Sequence, residues 1–232
     1  KGGLLVVLHV LETLRHEVLL EQLSVCVAFN GDEETGSDAS RDWIMAMAKK
    51  SRQTFVFEPC RPGYRFVLQR KGGGWFNIIA KGQQAHAGAD PEKGINAVVE
   101  LAHQIVKINK LNQNAVETSA QVTIVKGGDK VNIIPNKAQA WVDVRILKIE
   151  EKERIESFFK TLAEHPYFKG SKITIQGYIN RPPMEPIEAT HKLWELIRST
   201  GERIGLSVEA ISTGGCSDGN STSAAGTPTI DG

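Results

Sequence analysis

The sequence predicts an α/β protein with a mostly parallel sheet, interrupted by an inserted α+β domain of the ferredoxin-like (βαββαβ) type. At the start of the chain, helical apolar periodicity alternates with nearly continuous apolar runs of strand length, as strands buried on both faces require. From about residue 72 the strands alternate polar and apolar residues, and the element order becomes β-α-β-β-α-β. Helical spacing and an apolar strand then return, so the second domain is predicted to be inserted into the first.

Residues 1–71 are predicted to form the first part of the α/β domain. Apolar spacing and run length predict a helix from Leu4 to Leu14, a strand over 23–29, a helix over 38–50 and a strand over 54–59. Asp38 is placed to cap the second helix, and Pro59 stops the second strand. Both strands are expected to be buried.

Residues 72–181 are predicted to form the inserted domain. Its strands and helices are expected at 75–82, 94–110 (helix), 119–129, 138–147, 150–165 (helix) and 171–179. Two helices on one face of a four-stranded antiparallel sheet would satisfy this order. Residues 182–232 then resume the α/β domain, with a helix over 188–203, a strand over 206–211 and a short strand in GTPTIDG at 226–232.

The charge balance gives no overall attraction to a polyanion. Among 232 residues, 28 Lys+Arg face 27 Asp+Glu, so the net charge is only +1. No summed field therefore draws the protein to nucleic acid or to an anionic membrane. No apolar run approaches the roughly 18 residues needed to cross a bilayer. Neither a nucleic-acid partner nor a membrane is predicted, and partners are expected at local sites.

Three adjacent acidic residues follow the predicted strand at 23–29. Asp32, Glu33 and Glu34 lie just past its carboxyl end, where open α/β sheets place ligand sites, and Glu58 ends the neighbouring predicted strand. A divalent metal would offset this charge and leave one carboxylate as a base. A solvated acidic turn that caps the next helix remains an alternative. A calcium loop is disfavoured, because its sixth position holds Thr35 instead of glycine.

The stretch GCSDG at 215–219 matches the G-x-S-x-G nucleophile elbow, with Ser217 as the nucleophile. That triad continues along the chain to Asp or Glu and then to His. The last histidine is His191, so the triad cannot be completed in this order. The stretch is therefore interpreted as a tight turn.

Three further polar residues in the inserted domain have a functional and a structural interpretation. His86 lies in a predicted loop, where a lone histidine is commonly just solvated. Arg145 shares one strand face with Asp143, so a surface ion pair of little energetic value is the alternative role. Asn132 precedes IIPN, where it could form an Asx turn.

Six stretches of this sequence, taken together, resemble the zinc aminoacylase and carboxypeptidase G family of co-catalytic metallopeptidases. The resemblance is greatest to the carboxypeptidase G (glutamate carboxypeptidase) branch and extends over the whole chain, and the order of the stretches makes it more specific than any single motif. The stretches are KGGLLVVLHVLETL, FNGDEETGS, FVFEP, AKGQQAHAGADPEKGINAV, VNIIPNKAQAWVDVR and TGGCSDGNSTSAAGTPTIDG.

The resemblance implies an amide or peptide hydrolase with two zinc ions. Glu33 would be the general base, taking a proton from the attacking water and passing it to the leaving amine. Glu34 would bind one zinc ion and Glu58 the other, while Asp32 would be a neighbour and not a ligand. The substrate would be an acyl amino acid or small peptide, from which a C-terminal acidic residue is released.

The resemblance also implies a homodimer formed through the inserted domain, whose His86 would reach the partner's active site and polarise the scissile carbonyl. Asn132 and Arg145 would contact the substrate, with Arg145 pairing with a carboxylate, as suits a bidentate guanidinium. Gly214 and Gly215 would line the substrate cleft, where glycine permits close backbone approach.

The chain also departs from the family pattern. A His-x-Asp motif and a bridging Asp are expected before Lys1, and a ligating His after the final IDG. Of five expected metal ligands, only Glu34 and Glu58 are present, and two carboxylates alone are a poor zinc site. Two hypotheses follow from this difference. The chain is either part of a dinuclear zinc hydrolase or an inactive, metal-free dimerisation module.

Overall fold

A computed structural model describes residues 2–59, 61–112 and 114–232 of the chain. The chain divides into two compact units. The first, here called the split unit, comprises Lys1–Arg70 and Pro183–Gly232, and the second, the inserted unit, comprises Lys71–Pro182. Among the described residues, no helix has both the length and the apolarity to cross a membrane.

The split unit contains a mixed four-stranded sheet with helices. Its helices are α1 (Gly2–His16), α2 (Arg41–Lys49), α5 (Glu188–Arg203) and α6 (Asp218–Ala224), and its strands are β1 (Thr54–Val56), β2 (Arg65–Arg70), β9 (Glu209–Thr213) and β10 (Thr229–Asp231). The strand order is β1-β10-β2-β9. Strands β1 and β10 pair in parallel, as do β2 and β9, whereas β10 and β2 are antiparallel. The sheet is therefore mostly parallel, as predicted.

The predicted strand at 23–29 is wrong for this structure. The segment pairs with no other strand in the described parts of the chain, and Phe29 remains 64% exposed. A strand needs a neighbour to accept its backbone hydrogen bonds. Conversely, β2 was not predicted. It fills the centre of the sheet next to β10, with Val67 only 1% exposed.

The inserted unit is a four-stranded antiparallel sheet with two helices, in the predicted β-α-β-β-α-β order. The main elements are β3 (Gly72–Lys81), α3 (Ala97–Asn109), β5 (Ser119–Gly127), β7 (Lys137–Ile146), α4 (Glu151–Glu164) and β8 (Lys172–Arg181). The strand order is β5-β7-β3-β8, with every pair antiparallel. The ferredoxin-like prediction is confirmed.

Both helices of the inserted unit cover the same face of its sheet. Side chains from α3, α4 and all four strands form one buried cluster, in which Phe76 stacks on Phe159 with ring centroids 3.9 Å apart. Along β7, Val142 and Val144 are fully buried, while Arg145 and its alternate neighbours point away from the core. This period-two burial is what the alternating sequence predicts for a sheet covered on one face.

Smaller differences concern the ends of the elements. Helix α2 begins at Arg41, and Asp38 does not cap it but pairs with the Arg41 guanidinium at 2.7 Å. His86 lies in a two-residue strand, β4 (Ala85–His86), which pairs with β6 (Ile133–Ile134), and not in a loop. A local backbone pairing of this length leaves no periodic signal in the sequence.

Candidate active site

The acidic stretch at 29–37 forms a compact loop that is organised by Asp32. Its Oδ2 accepts hydrogen bonds from the backbone N–H groups of Ala39 (3.0 Å) and Ser40 (3.2 Å), and its Oδ1 accepts one from Ser40 Oγ (2.6 Å). The Ser40 hydroxyl bond is the largest cause that lowers the pKa of Asp32. Asp32 thus holds the loop against the start of α2, and Glu33 and Glu34 occupy a short 3₁₀ turn (Glu33–Thr35) beside it.

Asp218 bridges the two ends of this loop. Its Oδ2 accepts a hydrogen bond from Asn30 Nδ2 at 2.8 Å, and its Oδ1 accepts one from Ser37 Oγ at 2.5 Å. Asn30 precedes the 3₁₀ turn and Ser37 follows it. One carboxylate therefore closes the loop that carries Glu33 and Glu34.

Glu58 lies two residues after the end of β1, at the carboxyl edge of the parallel β1–β10 pair. Val56 of β1 is in register with Asp231 of β10. Burial raises the pKa of Glu58, and the negative charges of Asp231, Glu33 and Glu34 raise it further, whereas the Arg70 guanidinium opposes them. The sheet edge therefore gathers the acidic residues that the sequence predicted, together with Asp231, which was not predicted.

A buried ionic network lies beneath this edge. Arg70 Nε donates to Asp231 Oδ2 at 2.7 Å, and both side chains are almost wholly buried. Arg70 Nη1 donates to the Gly215 carbonyl at 3.1 Å, and Ser217 Oγ donates to Asp231 Oδ2 at 2.5 Å. The network ties the loop of the predicted cleft glycines, Gly214 and Gly215, to the end of β10.

Ser217 is part of this network and is not an exposed nucleophile. It is 1% exposed and is the N-cap residue of α6, where its hydroxyl oxygen accepts a hydrogen bond from Gly219 N at 3.0 Å. The GCSDG stretch is thus the entry to a helix, which rules out the elbow chemistry and refines the predicted tight turn.

The residues present do not by themselves form a metal site. Glu34 and Glu58 act on each other through charge. However, residues 2–59, 61–112 and 114–232 contain no group of three or more His, Cys, Asp or Glu side chains placed to hold an ion. Zinc sites in proteins need three or four protein ligands, so a metal would require ligands besides these two carboxylates.

The inserted unit brings His86 and Asn132 together. The β4–β6 pairing places His86 opposite Ile133, and Ala87 N donates to the Asn132 carbonyl at 2.9 Å. His86 Nδ1 accepts hydrogen bonds from Gly88 N (3.2 Å) and Ala89 N (3.0 Å). A neutral imidazole that accepts at Nδ1 carries its proton on Nε2, so His86 can donate a hydrogen bond from the other ring nitrogen.

Arg145 lies in β7 of the four-stranded sheet, and not in the β4–β6 pair. Strand β7 begins at Lys137, five residues after Asn132, and Arg145 lies eight residues further along it. At a rise of ~3.4 Å per residue, Lys137 and Arg145 are separated by about 27 Å. Its guanidinium forms a bidentate pair with Asp143, with Nε–Oδ1 and Nη2–Oδ2 both 2.8 Å. The predicted ion pair is therefore present, and a substrate carboxylate at Arg145 would compete with Asp143.

Sequence reasoning missed Arg70, Asp218 and Asp231. Arg70 lies in a strand that was not predicted, and Asp218 and Asp231 lie in stretches that were assigned to a turn and a terminal strand. The available signal was chemical and applied to Asp218 and Asp231, because a charged residue among small or apolar neighbours is rarely buried without a partner. No local pattern identifies the partners in this network, which are 14 to 188 positions away.

Known proteins match both units of this chain. The M20 peptidase dimerisation domain profile matches residues 68–171. Carboxypeptidase G2 of Pseudomonas sp. (strain RS-16) is 30% identical over the whole chain, which covers 56% of that protein. The chain thus spans about half the length of the curated relatives that it matches.

Solved structures show the same fold at lower identity. The aminopeptidase PepT from Bacillus cereus superposes with a TM-score of 0.70 at 23% identity, over 83% of this chain and 53% of its own. The YXEP protein of Bacillus subtilis, a dinuclear metal binding peptidase from the M20 family, superposes with a TM-score of 0.65 at 16% identity, over 88% of this chain and 53% of its own.

Proposed function

We propose that the whole protein is a metal-dependent amide hydrolase of the M20 peptidase type, which releases a C-terminal acidic amino acid from an acyl amino acid or small peptide. The observation that carries the proposal is the state of Glu58 at the sheet edge, where burial raises its pKa and the charges of Asp231, Glu33 and Glu34 raise it further. Mutually repelling carboxylates are retained in proteins where a cation or a proton-transfer reaction uses them. The similarity to carboxypeptidase G2 across the whole chain supports the same reaction class.

Glu33 is the proposed general base. It lies in the 3₁₀ turn that Asp32 and Asp218 hold in place. Its charge acts on Glu58, which follows β1. In this role its carboxylate takes a proton from the attacking water and returns it to the leaving amine. General base catalysis of this kind contributes about 10²–10⁴-fold to the rate.

Glu34 and Glu58 are the proposed metal ligands within these 232 residues. Zinc, as about two ions per subunit, is the proposed metal, and it would supply a Lewis acid for the carbonyl oxygen. Because two carboxylates do not complete such a site, the proposal requires further ligands besides Glu34 and Glu58. The matching M20 structure is described as dinuclear, which supports this stoichiometry for the whole protein.

The inserted unit is the proposed source of the substrate contacts. His86 donates from Nε2 to the scissile carbonyl, Asn132 binds beside it, and Arg145 binds the substrate carboxylate. The roughly 27 Å between the two ends of β7 exceeds the length of a small acyl amino acid. We therefore propose that a second copy of the chain supplies His86 and Asn132 to each site, as in a homodimer.

A surface suited to this dimer lies on α3 and β5. Strand β5 is at an edge of the four-stranded sheet, where a strand of a second copy can pair with it. Apolar side chains are exposed on both elements: Val98 (37%), Val99 (38%), Val106 (63%), Ile124 (48%) and Val125 (55%). The matched dimerisation-domain profile covers both elements.

The reaction is tested with the full-length protein and two matched substrates, N-benzoyl-L-glutamate and N-benzoyl-L-lysine. We expect release of glutamate at a rate at least tenfold above release of lysine, and loss of activity with a chelator that zinc restores. Elemental analysis gives the metal content independently of activity. A full-length protein without metal and without hydrolysis would instead support the inactive dimerisation module.

The shared site is tested by mixing two inactive variants, His86→Ala and Glu33→Gln. A mixed dimer contains one site with both residues intact, so activity should return to about a quarter of the wild-type value after subunits exchange randomly. No recovery, although mixed dimers are shown to form, would contradict the contribution of His86 from the second copy.

The dimer surface is tested with Val106→Glu, which places a charge in the exposed apolar surface of α3. We expect monomers in sedimentation, because burying an unpaired charge in an interface costs several kcal/mol. Ile204→Glu is the matched control, since Ile204 is similarly exposed (67%) but lies in the split unit. If both variants remain dimeric, the interface lies elsewhere.

A further inference from the structure

We propose that Asp218 is a positioning residue that holds Glu33 in its catalytic position. This inference rests on the proposed function for the role of Glu33, but its structural part concerns only the loop at 30–37. The GCSDG stretch would then serve catalysis through the acidic loop, and not through its serine.

The Asp218 side chain is placed to act as a clamp, which here means that it fixes both ends of the loop at 30–37. Its two carboxylate oxygens bind opposite ends of one loop, to Asn30 Nδ2 at 2.8 Å and to Ser37 Oγ at 2.5 Å. Between these two contacts the chain makes the 3₁₀ turn that carries Glu33. Releasing either contact would free one end of the turn, and a misplacement of about 1 Å can lower a rate by about 10²-fold.

The backbone of the loop requires such a clamp. Ser37 has φ = 54° and is only 1% exposed, so a non-glycine residue is held in the left-handed region inside the protein. A conformation of this kind costs about 1–3 kcal/mol and persists only where surrounding contacts fix it. The hydrogen bond from Ser37 to Asp218 is such a contact, and residues in this state are concentrated at functional sites.

Asp218 itself is fixed by the network below the sheet edge. It is the first residue of α6, directly after Ser217, whose hydroxyl binds Asp231. Asp231 in turn binds Arg70. Through the adjacent residues Ser217 and Asp218, hydrogen bonds therefore connect the Arg70–Asp231 ion pair to the loop that carries Glu33.

A clamp and a charged catalytic group predict different responses to amide substitution. In Asp218→Asn, the side-chain oxygen can still accept from Asn30, and its NH₂ can donate to the Ser37 hydroxyl, which accepts as well as donates. Both contacts are therefore preserved without the charge. In Asp218→Ala both are lost.

The test measures kcat and KM of the full-length protein with N-benzoyl-L-glutamate. We expect Asp218→Ala to lower kcat by about 10²-fold with KM changed less than threefold, and Asp218→Asn to retain kcat within about fivefold. Asp42→Asn, on the exposed side of α2, is the control and should match wild type.

In a Glu33→Gln background, Asp218→Ala should have little further effect, because both substitutions remove the same step. Equal losses in the Asn and Ala variants, or full activity in Asp218→Ala, would overturn the proposal.

Hydrogen exchange tests the clamp whether or not the protein hydrolyses this substrate. The amides of Gly36 and Ser37 donate to Glu33 O (2.9 Å) and Asp32 O (2.8 Å) within the loop. Their exchange should be at least tenfold faster in Asp218→Ala and unchanged in Asp218→Asn and Asp42→Asn. Unchanged exchange in Asp218→Ala would refute the clamp, whereas absent hydrolysis by the wild-type protein would refute the proposed function alone.

Discussion

The inserted unit has a closed core, whereas the split unit leaves apolar segments exposed. In the inserted unit, eighteen buried apolar side chains form one cluster under a four-stranded sheet. Among the described residues of the split unit, the corresponding cluster has four members, and the segment 23–29 and Leu4, Leu5 and Leu8 of α1 face solvent. The comparison shows that an apolar run specifies burial only where a partner is present, and that the inserted unit contains its own partners.

The two units also differ in how they hold carboxylates. Glu100 in the inserted unit is fully buried and accepts hydrogen bonds from Phe168 N (2.8 Å), Ser171 Oγ (2.7 Å) and Tyr167 N (2.9 Å). These bonds, together with one from Gln104, outweigh burial and lower the pKa of Glu100. Burial raises the pKa of Glu58 in the split unit, and the negative charges of Asp231, Glu33 and Glu34 raise it further. The inserted unit thus surrounds its buried carboxylate with hydrogen-bond donors, whereas the split unit places Glu58 near other carboxylates.

The largest expected effect is on the acidic edge of the split unit. Glu33→Gln should lower kcat of the full-length protein by about 10²–10⁴-fold, because the amide cannot take the proton from water. Steady-state kinetics with N-benzoyl-L-glutamate measure this effect. Asp42→Asn is the control. An unchanged kcat in Glu33→Gln would remove the functional difference between the two units.

Substitutions of one buried and one exposed phenylalanine test the difference in packing between the inserted unit and the split unit. Phe159→Ala in the inserted unit should lower the free energy of unfolding by about 3–5 kcal/mol, because Phe159 is 2% exposed and stacks on Phe76. Phe29→Ala, at a side chain 64% exposed, should change it by less than about 0.5 kcal/mol in these 232 residues. Urea denaturation measures both. Comparable losses would mean that the segment at 23–29 is packed in solution.

The two carboxylates should give opposite pH dependence in the metal-free chain. A lowered pKa at Glu100 stabilises the fold above the usual value of 4.5, and this contribution is lost as the pH falls through the lowered pKa. A raised pKa at Glu58 stabilises the fold below 4.5, and this contribution is lost as the pH rises through the raised pKa.

Glutamine substitutions measure this difference by urea denaturation at pH 7 and pH 3. At pH 7, Glu100→Gln should lower the free energy of unfolding by about 1–3 kcal/mol, since its NH₂ faces backbone N–H donors. Glu58→Gln should raise it slightly, because a neutral side chain removes the repulsion. Both effects should shrink at pH 3. A Glu58→Gln variant less stable than wild type at pH 7 would contradict the repulsive edge.

The sequence predicted the inserted unit almost completely and the split unit in part. Strands β3, β5, β7 and β8 lie within a few residues of their predicted limits, since alternation identifies a strand whose sheet has one covered face. The helix predicted over 188–203 has those limits. By contrast, β2 was missed and 23–29 was overpredicted, because a nearly continuous apolar run does not state which neighbour it pairs with.

The residues of the candidate site were likewise predicted only in part from the sequence. Glu33, Glu34 and Glu58 could be selected from the sequence because adjacent carboxylates indicate a ligand site, although the strand predicted before Glu33 and Glu34 does not form. Asp218 and Arg70 could not be assigned to this site, because their contacts join Asn30 to Asp218 and Arg70 to Asp231 over 188 and 161 positions. Such contacts depend on the sheet order, which local patterns do not encode.

The sequence by itself determined the fold class, the order of elements in the inserted unit and the acidic residues of the proposed site. Local periodicity and adjacent charges carry this information directly. Only the tertiary structure decided which carboxylates are held by hydrogen bonds and which repel one another. It also decided that His86 and Asn132 lie together at the β4–β6 pair, whereas Arg145 lies in the four-stranded sheet. These properties depend on the register and order of strands that are distant in the chain, so they exist only after the chain has folded.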